Sequence, residues 1–189
     1  MLRFSILTFA TAFLFSCTSK KSNKPENSNI DSLKRSGSQT SRVDSIGYYK
    51  IAGDSLVIPP FEIEVSLSQK ANERLKKGKE SIIVWAYFFG KPKDTTLKEY
   101  LKSGGISLAS TQIELTGDER VAKIENVKFS KSLYDSLADK DIQVLINVYS
   151  GRRSSPDNLL DCDLLEQKMS LVRDKKFTLK GKLIGEPGQ

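Results

Sequence analysis

The sequence predicts an all-β sandwich, and three observations carry that expectation. From Tyr48 onward, apolar residues recur with period two rather than period 3.6. Runs rich in β-branched and aromatic residues are separated by Gly, Pro, Asn and Asp turn signals. The chain has 189 residues, 38% hydrophobic and 28% charged, which suits one packed domain with extensions.

The elements follow in order. Phe61 to Leu67 (FEIEVSL) alternates apolar and polar, as a half-buried strand does, and Pro59-Pro60 sets its start. Ser81 to Phe89 (SIIVWAYFF) is continuously apolar and suits a central strand. Ile106 to Leu115 follows Gly104-Gly105 as a strand or a bulged pair. A turn at Gly117–Arg120 precedes a strand over Val121–Phe129. Asp141 to Tyr149 alternates again, with Ile142, Val144, Ile146 and Val148 on one face. A loop over Gly151–Asn158, one or two strands over Leu159–Val172, and Phe177 to Leu183 complete the set. Short helical turns are expected at Thr95–Lys102 and at Ser130–Ala138, the second with Ser130 as N-cap.

Together these elements predict an immunoglobulin-like or transthyretin-like β-sandwich of about seven to eight strands. Immunoglobulin-type domains place a Cys pair around a core Trp; Trp85 is present here without that pair. The order of elements looks like that of small transthyretin-like sandwiches in secretion-system pilotins and related envelope lipoproteins. That likeness implies fold and carries no function.

The N-terminus has a separate character. Met1-Leu2-Arg3 is a short basic region and Phe4 to Phe15 an apolar run, after which the chain turns sharply polar. A run of about a dozen apolar residues is too short for a bilayer core of ~30 Å and suits a signal peptide, residues 1–16. Within it, Leu14-Phe15-Ser16-Cys17 resembles the lipobox of bacterial lipoproteins. Leu14, Ser16 and Cys17 match that motif, while Phe15 stands where the family has a smaller residue. The resemblance implies that Cys17 becomes the triacylated N-terminus and anchors the protein to membrane. Several acyl chains, at roughly 0.8 kcal/mol per buried CH2, hold where one does not. Thr18 at the next position, with Lys20, Lys21 and Lys24 and no acid, implies by the same resemblance an outer-membrane protein facing the periplasm.

Residues 17–47 carry only Ile30, Leu33, Val43 and Ile46 as aliphatic side chains after the lipidated Cys. Such a stretch does not bury enough apolar area to offset its ordering entropy, so it is expected to be a disordered tether. Thirty flexible residues reach roughly 30 Å. Residues 48–189 are left for the sandwich.

Several chemistries are excluded at the outset. The chain contains no His, so imidazole-based triads, dyads and zinc sites do not arise. Its net charge of +7 is spread among interleaved acids, without the basic, aromatic-lined stripe of a nucleic-acid binder. No nucleic-acid partner, cofactor or metal is expected. With Cys17 lipidated, Cys162 stands alone among Leu159, Leu160, Leu164 and Leu165, as a buried small hydrophobe.

The remaining candidates are surface features. Asp157, Asp161 and Asp163 are oxygen donors of the type Ca2+ takes, without EF-hand spacing. Glu62 and Glu64 share a strand face, as an acid/base pair would and as any solvent-side pair does. Arg152-Arg153 at a Gly-led loop suits an anion or an acidic partner, or is simply a charged tip. Trp85, Tyr87 and Phe89 point to one side of their strand and Val84, Ala86 and Phe88 to the other. One side must fill the core, and the ordinary outcome is that both are covered. If the aromatic side is open, it is a binding patch.

The expected function is that of a lipid-anchored, non-catalytic envelope module that binds another envelope protein, as an accessory or assembly subunit. The alternative is a glycan or small-ligand binding module using the aromatic face or a pocket. An exposed aromatic surface favours the second and an available sheet edge the first.

Overall fold

The structure is a computed structural model that describes residues 44–187. The signal peptide, the Leu14–Cys17 motif and the tether up to residue 43 lie outside the described residues. In chain order the elements are β1 (Ser45–Ile46), β2 (Tyr49–Ala52), β3 (Ser55–Val57), β4 (Phe61–Leu67), α1 (Gln69–Gly78), β5 (Ile82–Gly90) and α2 (Lys98–Ser103). Then come β6 (Ile106–Leu115), β7 (Val121–Ile124), β8 (Lys128–Ser130), α3 (Lys131–Ser136), β9 (Gln143–Ser150), β10 (Leu160–Cys162), β11 (Leu165–Lys168), α4 (Met169–Val172) and β12 (Lys176–Leu183).

The strands form three four-stranded sheets, ordered β1-β2-β3-β8, β10-β12-β4-β7 and β11-β9-β5-β6. The second and third make the sandwich. Alternation on β4 turns Phe61, Ile63 and Val65 inward, and alternation on β5 turns Ile82, Val84, Ala86 and Phe88 inward to meet them. Phe61 and Phe88 touch edge to face, with centroids 6.4 Å apart. The all-β sandwich expected from the sequence is thus observed. Twelve strand segments appear among the described residues rather than seven or eight, because several are only two to four residues long and too short to show a period.

The closing contact is parallel. Strand β12 lies beside β4 over six residue pairs, from Lys176↔Glu62 to Gly181↔Leu67. Strand β4 also pairs antiparallel with β7, so it is central in its sheet. Helix α1 carries the chain from this sheet to the other. Ser68 caps it, its Oγ accepting from Ala71 N–H at 3.1 Å, and only Ala71 and Leu75 are buried along it.

The first sheet begins at Ser45, within the stretch assigned to the tether, because Ser45–Ile46 pairs back onto Tyr49–Lys50. It is fixed to the sandwich through Asp141. Tyr48 Oη donates to Asp141 Oδ1 at 2.5 Å, and Ser170 donates to the same carboxylate from N–H at 2.9 Å and from Oγ at 2.6 Å. Burial alone would raise that carboxyl, but these donors hold it below the usual aspartate range.

Strand β10 approaches β12 closely at Gly181. A Cβ there would lie 2.5 Å from Cys162 Sγ and 2.7 Å from Leu67 Cδ2. Gly181→Ala is therefore expected to destabilise the protein by about 1–3 kcal/mol in urea unfolding. Adding Cys162→Ala should recover part of that loss by removing one of the two obstructions. An unchanged midpoint in Gly181→Ala would contradict this packing.

Candidate functional site

The side of β5 that does not enter the core carries Ile83, Trp85, Tyr87 and Phe89, each half-buried. Trp85 and Tyr87 have centroids 5.5 Å apart with planes 24° from parallel, and Tyr87 and Phe89 repeat this at 5.5 Å and 17°. Near-parallel planes at that spacing mean offset stacking, so the rings overlap like shingles and keep part of each surface outward. At one end the Phe89 ring lies against the Gly105 backbone, where a Cβ would come within 2.8 Å of it.

Neighbouring strands explain which side faces out. Antiparallel register places Val84, Ala86 and Phe88 beside Val148, Ile146 and Val144 of β9. It places Trp85 between Asn147 of β9 and Gln112 of β6, and Tyr87 between Leu145 and Ser110. The aliphatic row of β9 must be buried, so the aromatic row of β5 is the one left outside. Within β5 alone both rows are apolar and the choice is open. The pairing with β9 was the signal that settles it.

The loop after β9 stands at the other end of this face. Glu80, only 6% exposed, precedes β5 and gathers the loop onto itself. Its Oε1 accepts from Arg153 N–H at 2.9 Å and Ser81 N–H at 3.1 Å, and its Oε2 accepts from Ser154 N–H and Oγ, both at 2.7 Å. Burial would raise this carboxyl, yet the four donors hold it below the usual glutamate range. Glu114 on β6 accepts from Arg153 Nε at 2.8 Å and from Ser81 Oγ at 2.5 Å. The two arginines thus part company. Arg153 is engaged by both Glu80 and Glu114, whereas Arg152 adopts φ +58° and lines a recess with Asn147, Tyr149 and Asn158. Sequence reading singled out both arginines but not Glu80, Glu114, Asn147 or Tyr149; Glu80 had no neighbour in sequence to mark it.

The other candidates disperse. Glu62 and Glu64 lie on the outer face of β4, paired with Lys123 at 4.0 Å and Lys176 at 3.2 Å. Asp161 faces Lys182 at 3.9 Å and Asp163 accepts from Lys180 N–H at 3.0 Å. Among the described residues no three His, Cys, Asp or Glu side chains are grouped to hold a metal ion. Burial pushes the Cys162 thiol up to about 12, helped by Asp161 and Asp163, so it is protonated and poorly nucleophilic near neutrality. Among the described residues no helix is long and apolar enough to cross a membrane. No protein-family model, no curated protein and no solved structure matches the chain.

Glu80→Ala leaves the N–H groups of Ser81, Arg153 and Ser154 without this partner, and the buried one, that of Ser81, costs about 1–3 kcal/mol. The expected outcome is faster amide exchange at Arg153 and Ser154 and a lower melting temperature. The sign with pH follows from the lowered carboxyl. Its stabilisation is complete above the ordinary glutamate range and is lost as pH falls through the lower, folded-state value. Wild type should therefore lose the Glu80 contribution on acidification, and the variant should have none to lose. Parallel melting curves for the two across that range would refute this role.

Proposed function

We propose that the protein is a lipid-anchored, non-catalytic binding module of the bacterial cell envelope, and that the outer face of the β11-β9-β5-β6 sheet takes a glycan. The supporting observation is the Trp85–Tyr87–Phe89 ladder on the solvent side of a strand whose other side supplies the core. Its flanks are uncharged and mostly hydrogen-bonding: Gln143 and Asn147 on either side of Leu145 on β9, and Ser110 and Gln112 on β6. Apolar rings bordered by amides and hydroxyls match the mixed surface of a sugar, whose C–H faces and hydroxyls need different partners. The anchor follows from the lipobox resemblance at Cys17, and the tether holds the domain clear of the bilayer, facing the periplasm from the outer membrane.

A second role has its own observation. Strand β6 is an edge strand of ten residues, pairs only with β5, and carries one charge and no Pro or Lys. Such an edge suits strand addition by a protein partner, the basis of an accessory or assembly role.

Two experiments test these assignments. Cys17→Ala should release the protein from the membrane fraction, and the wild-type N-terminal peptide should carry acyl mass. Retention of the variant in membranes would overturn the anchor. Full-length protein in detergent should be retained by at least one insoluble glycan among chitin, cellulose and peptidoglycan sacculi. Trp85→Ala should weaken that retention about tenfold, roughly 1.4 kcal/mol, while the domain stays folded and its melting temperature falls only by the few degrees that losing one ring stack costs. Failure of every glycan to retain wild type, with one protein cross-linked to β6 in intact envelopes, would replace the glycan role by the second.

A further inference from the structure

The ladder does not end in bare surface. Trp85 sits directly opposite Asn147, and Ile83 opposite Tyr149, so the aromatic row runs into the recess of about 310 Å3 that Arg152 lines with Asn147, Tyr149 and Asn158. Asn158 is used structurally, its Oδ1 accepting from Ser150 N–H at 2.9 Å and Leu160 N–H at 3.1 Å. Among the described residues, the side chains of Asn147, Tyr149 and Arg152 make no hydrogen bond to protein, and Arg152 joins no ion pair. No acidic side chain lines the recess. The adjacent Arg153 is neutralised by Glu114 at 2.8 Å. One unpaired guanidinium is thus left beside one amide and one phenol.

That loop is held, not incidental. A Cβ at Gly151 would run into Ser81 Oγ, so only glycine lets the chain pass there, and Gly151 N–H donates to Ser81 O at 2.9 Å. Glu80 then fixes the next turn through Arg153 and Ser154. Arg152 lies between these anchors in a left-handed conformation that a side chain adopts only when its surroundings impose it.

Resting on the glycan role proposed above, we infer that this face takes a glycan whose sugars carry carboxylates, in the envelope the peptidoglycan glycan strand where its stem peptides have been removed and its lactyl carboxyls are free. The sugar rings lie over Trp85 and Tyr87, and one carboxylate meets the fork of Arg152, with Asn147 and Tyr149 as neutral partners. A single cation with neutral neighbours complements one negative charge. A phosphate, which carries more charge, would draw a second cation, and Arg153 is already spent on Glu114. The neutral amide and hydroxyl rows beside the ladder suit sugar hydroxyls better than a peptide, which would want a pocket for an anchoring side chain.

Trp85 is the only tryptophan of the chain, so its emission reports on this face alone. Full-length protein in detergent is titrated with peptide-free peptidoglycan glycan strands and with chitooligosaccharides of equal length. The latter keep the N-acetylglucosamine ring and lack the lactyl carboxylate. The expected result is a change in Trp85 emission with both and about tenfold tighter binding of the carboxylated strand. Arg152→Gln should abolish the preference while keeping chitooligosaccharide binding, Arg152→Lys should restore part of it, and added salt should weaken only the carboxylated ligand. Equal binding of the two glycans by wild type, or a preference that survives Arg152→Gln, overturns the carboxylate assignment and leaves the aromatic role standing. Stronger displacement by inorganic phosphate than by acetate also overturns it. No emission change with either glycan overturns both the assignment and the glycan role beneath it.

Discussion

The parallel pairing of β4 with β12 is the constraint on which the other features depend. It joins the first and last strands of the sandwich across more than a hundred residues of chain, with Ile63 beside Phe177 and Val65 beside Leu179. Parallel neighbours cannot be joined by a hairpin, so the intervening chain must leave the sheet and return. Helix α1 makes the departure, delivering the chain to the opposite sheet as β5. Once β4 and β12 fill the middle of one sheet, β5 and β9 fill the middle of the other, and Phe61 meets Phe88 between them. The face of β5 turned away from that contact is then fixed as an outer surface.

Two carboxylates staple the periphery to this frame. Glu80 ties the β9–β10 loop to the start of β5, and Asp141 ties Tyr48 and Ser170 to the start of β9. Both are held below their usual ranges although burial acts in the opposite direction, which means the donors outweigh desolvation. Ionised groups of this kind tolerate burial only when their lone pairs are filled. Glu80 receives four donors and Asp141 three, so each orders the loop that it binds. At Glu80 this ordering has a chemical consequence, because it commits Arg153 to the fold and leaves Arg152 outward.

Legibility in the sequence follows the length of each pattern. The alternation of Phe61–Leu67 and of Ile142–Val148, and the apolar run through Ser81–Phe89, were enough to place β4, β9 and β5. Ser130 was recognisable as the cap of α3, and its Oγ does accept from Ser132 N–H at 3.2 Å. Helix α1 was not legible, since Ala71 and Leu75 are its only buried residues and two apolar positions make no stripe. The parallel register was not legible either, because local alternation specifies a face and not a partner. The same gap hid the direction of Trp85. Its own strand offers two apolar faces, and only the aliphatic row of β9 decides between them.

The two outer faces of the sandwich give the sharpest internal comparison. On the β10-β12-β4-β7 sheet, Glu62 and Glu64 stand among Lys123, Lys176 and Thr178, an arrangement that satisfies water and cross-strand electrostatics together. On the β11-β9-β5-β6 sheet the central positions hold Trp85, Tyr87 and Leu145 with Ser and amide neighbours. At its margins Glu114 pairs with Arg153 and Asp139 with Lys168, while Glu166 of β11 stands beside Leu145. Both faces belong to strands of similar length packed on one core, so folding alone would be served by the Glu/Lys pattern on either. Offset stacking returns about 0.5–1.5 kcal/mol for each ring pair, but it does so on a face where apolar exposure invites association. An aromatic row retained there, ordered by its neighbours and leading to an unpaired guanidinium, is better explained by a ligand than by the stability of the sheet.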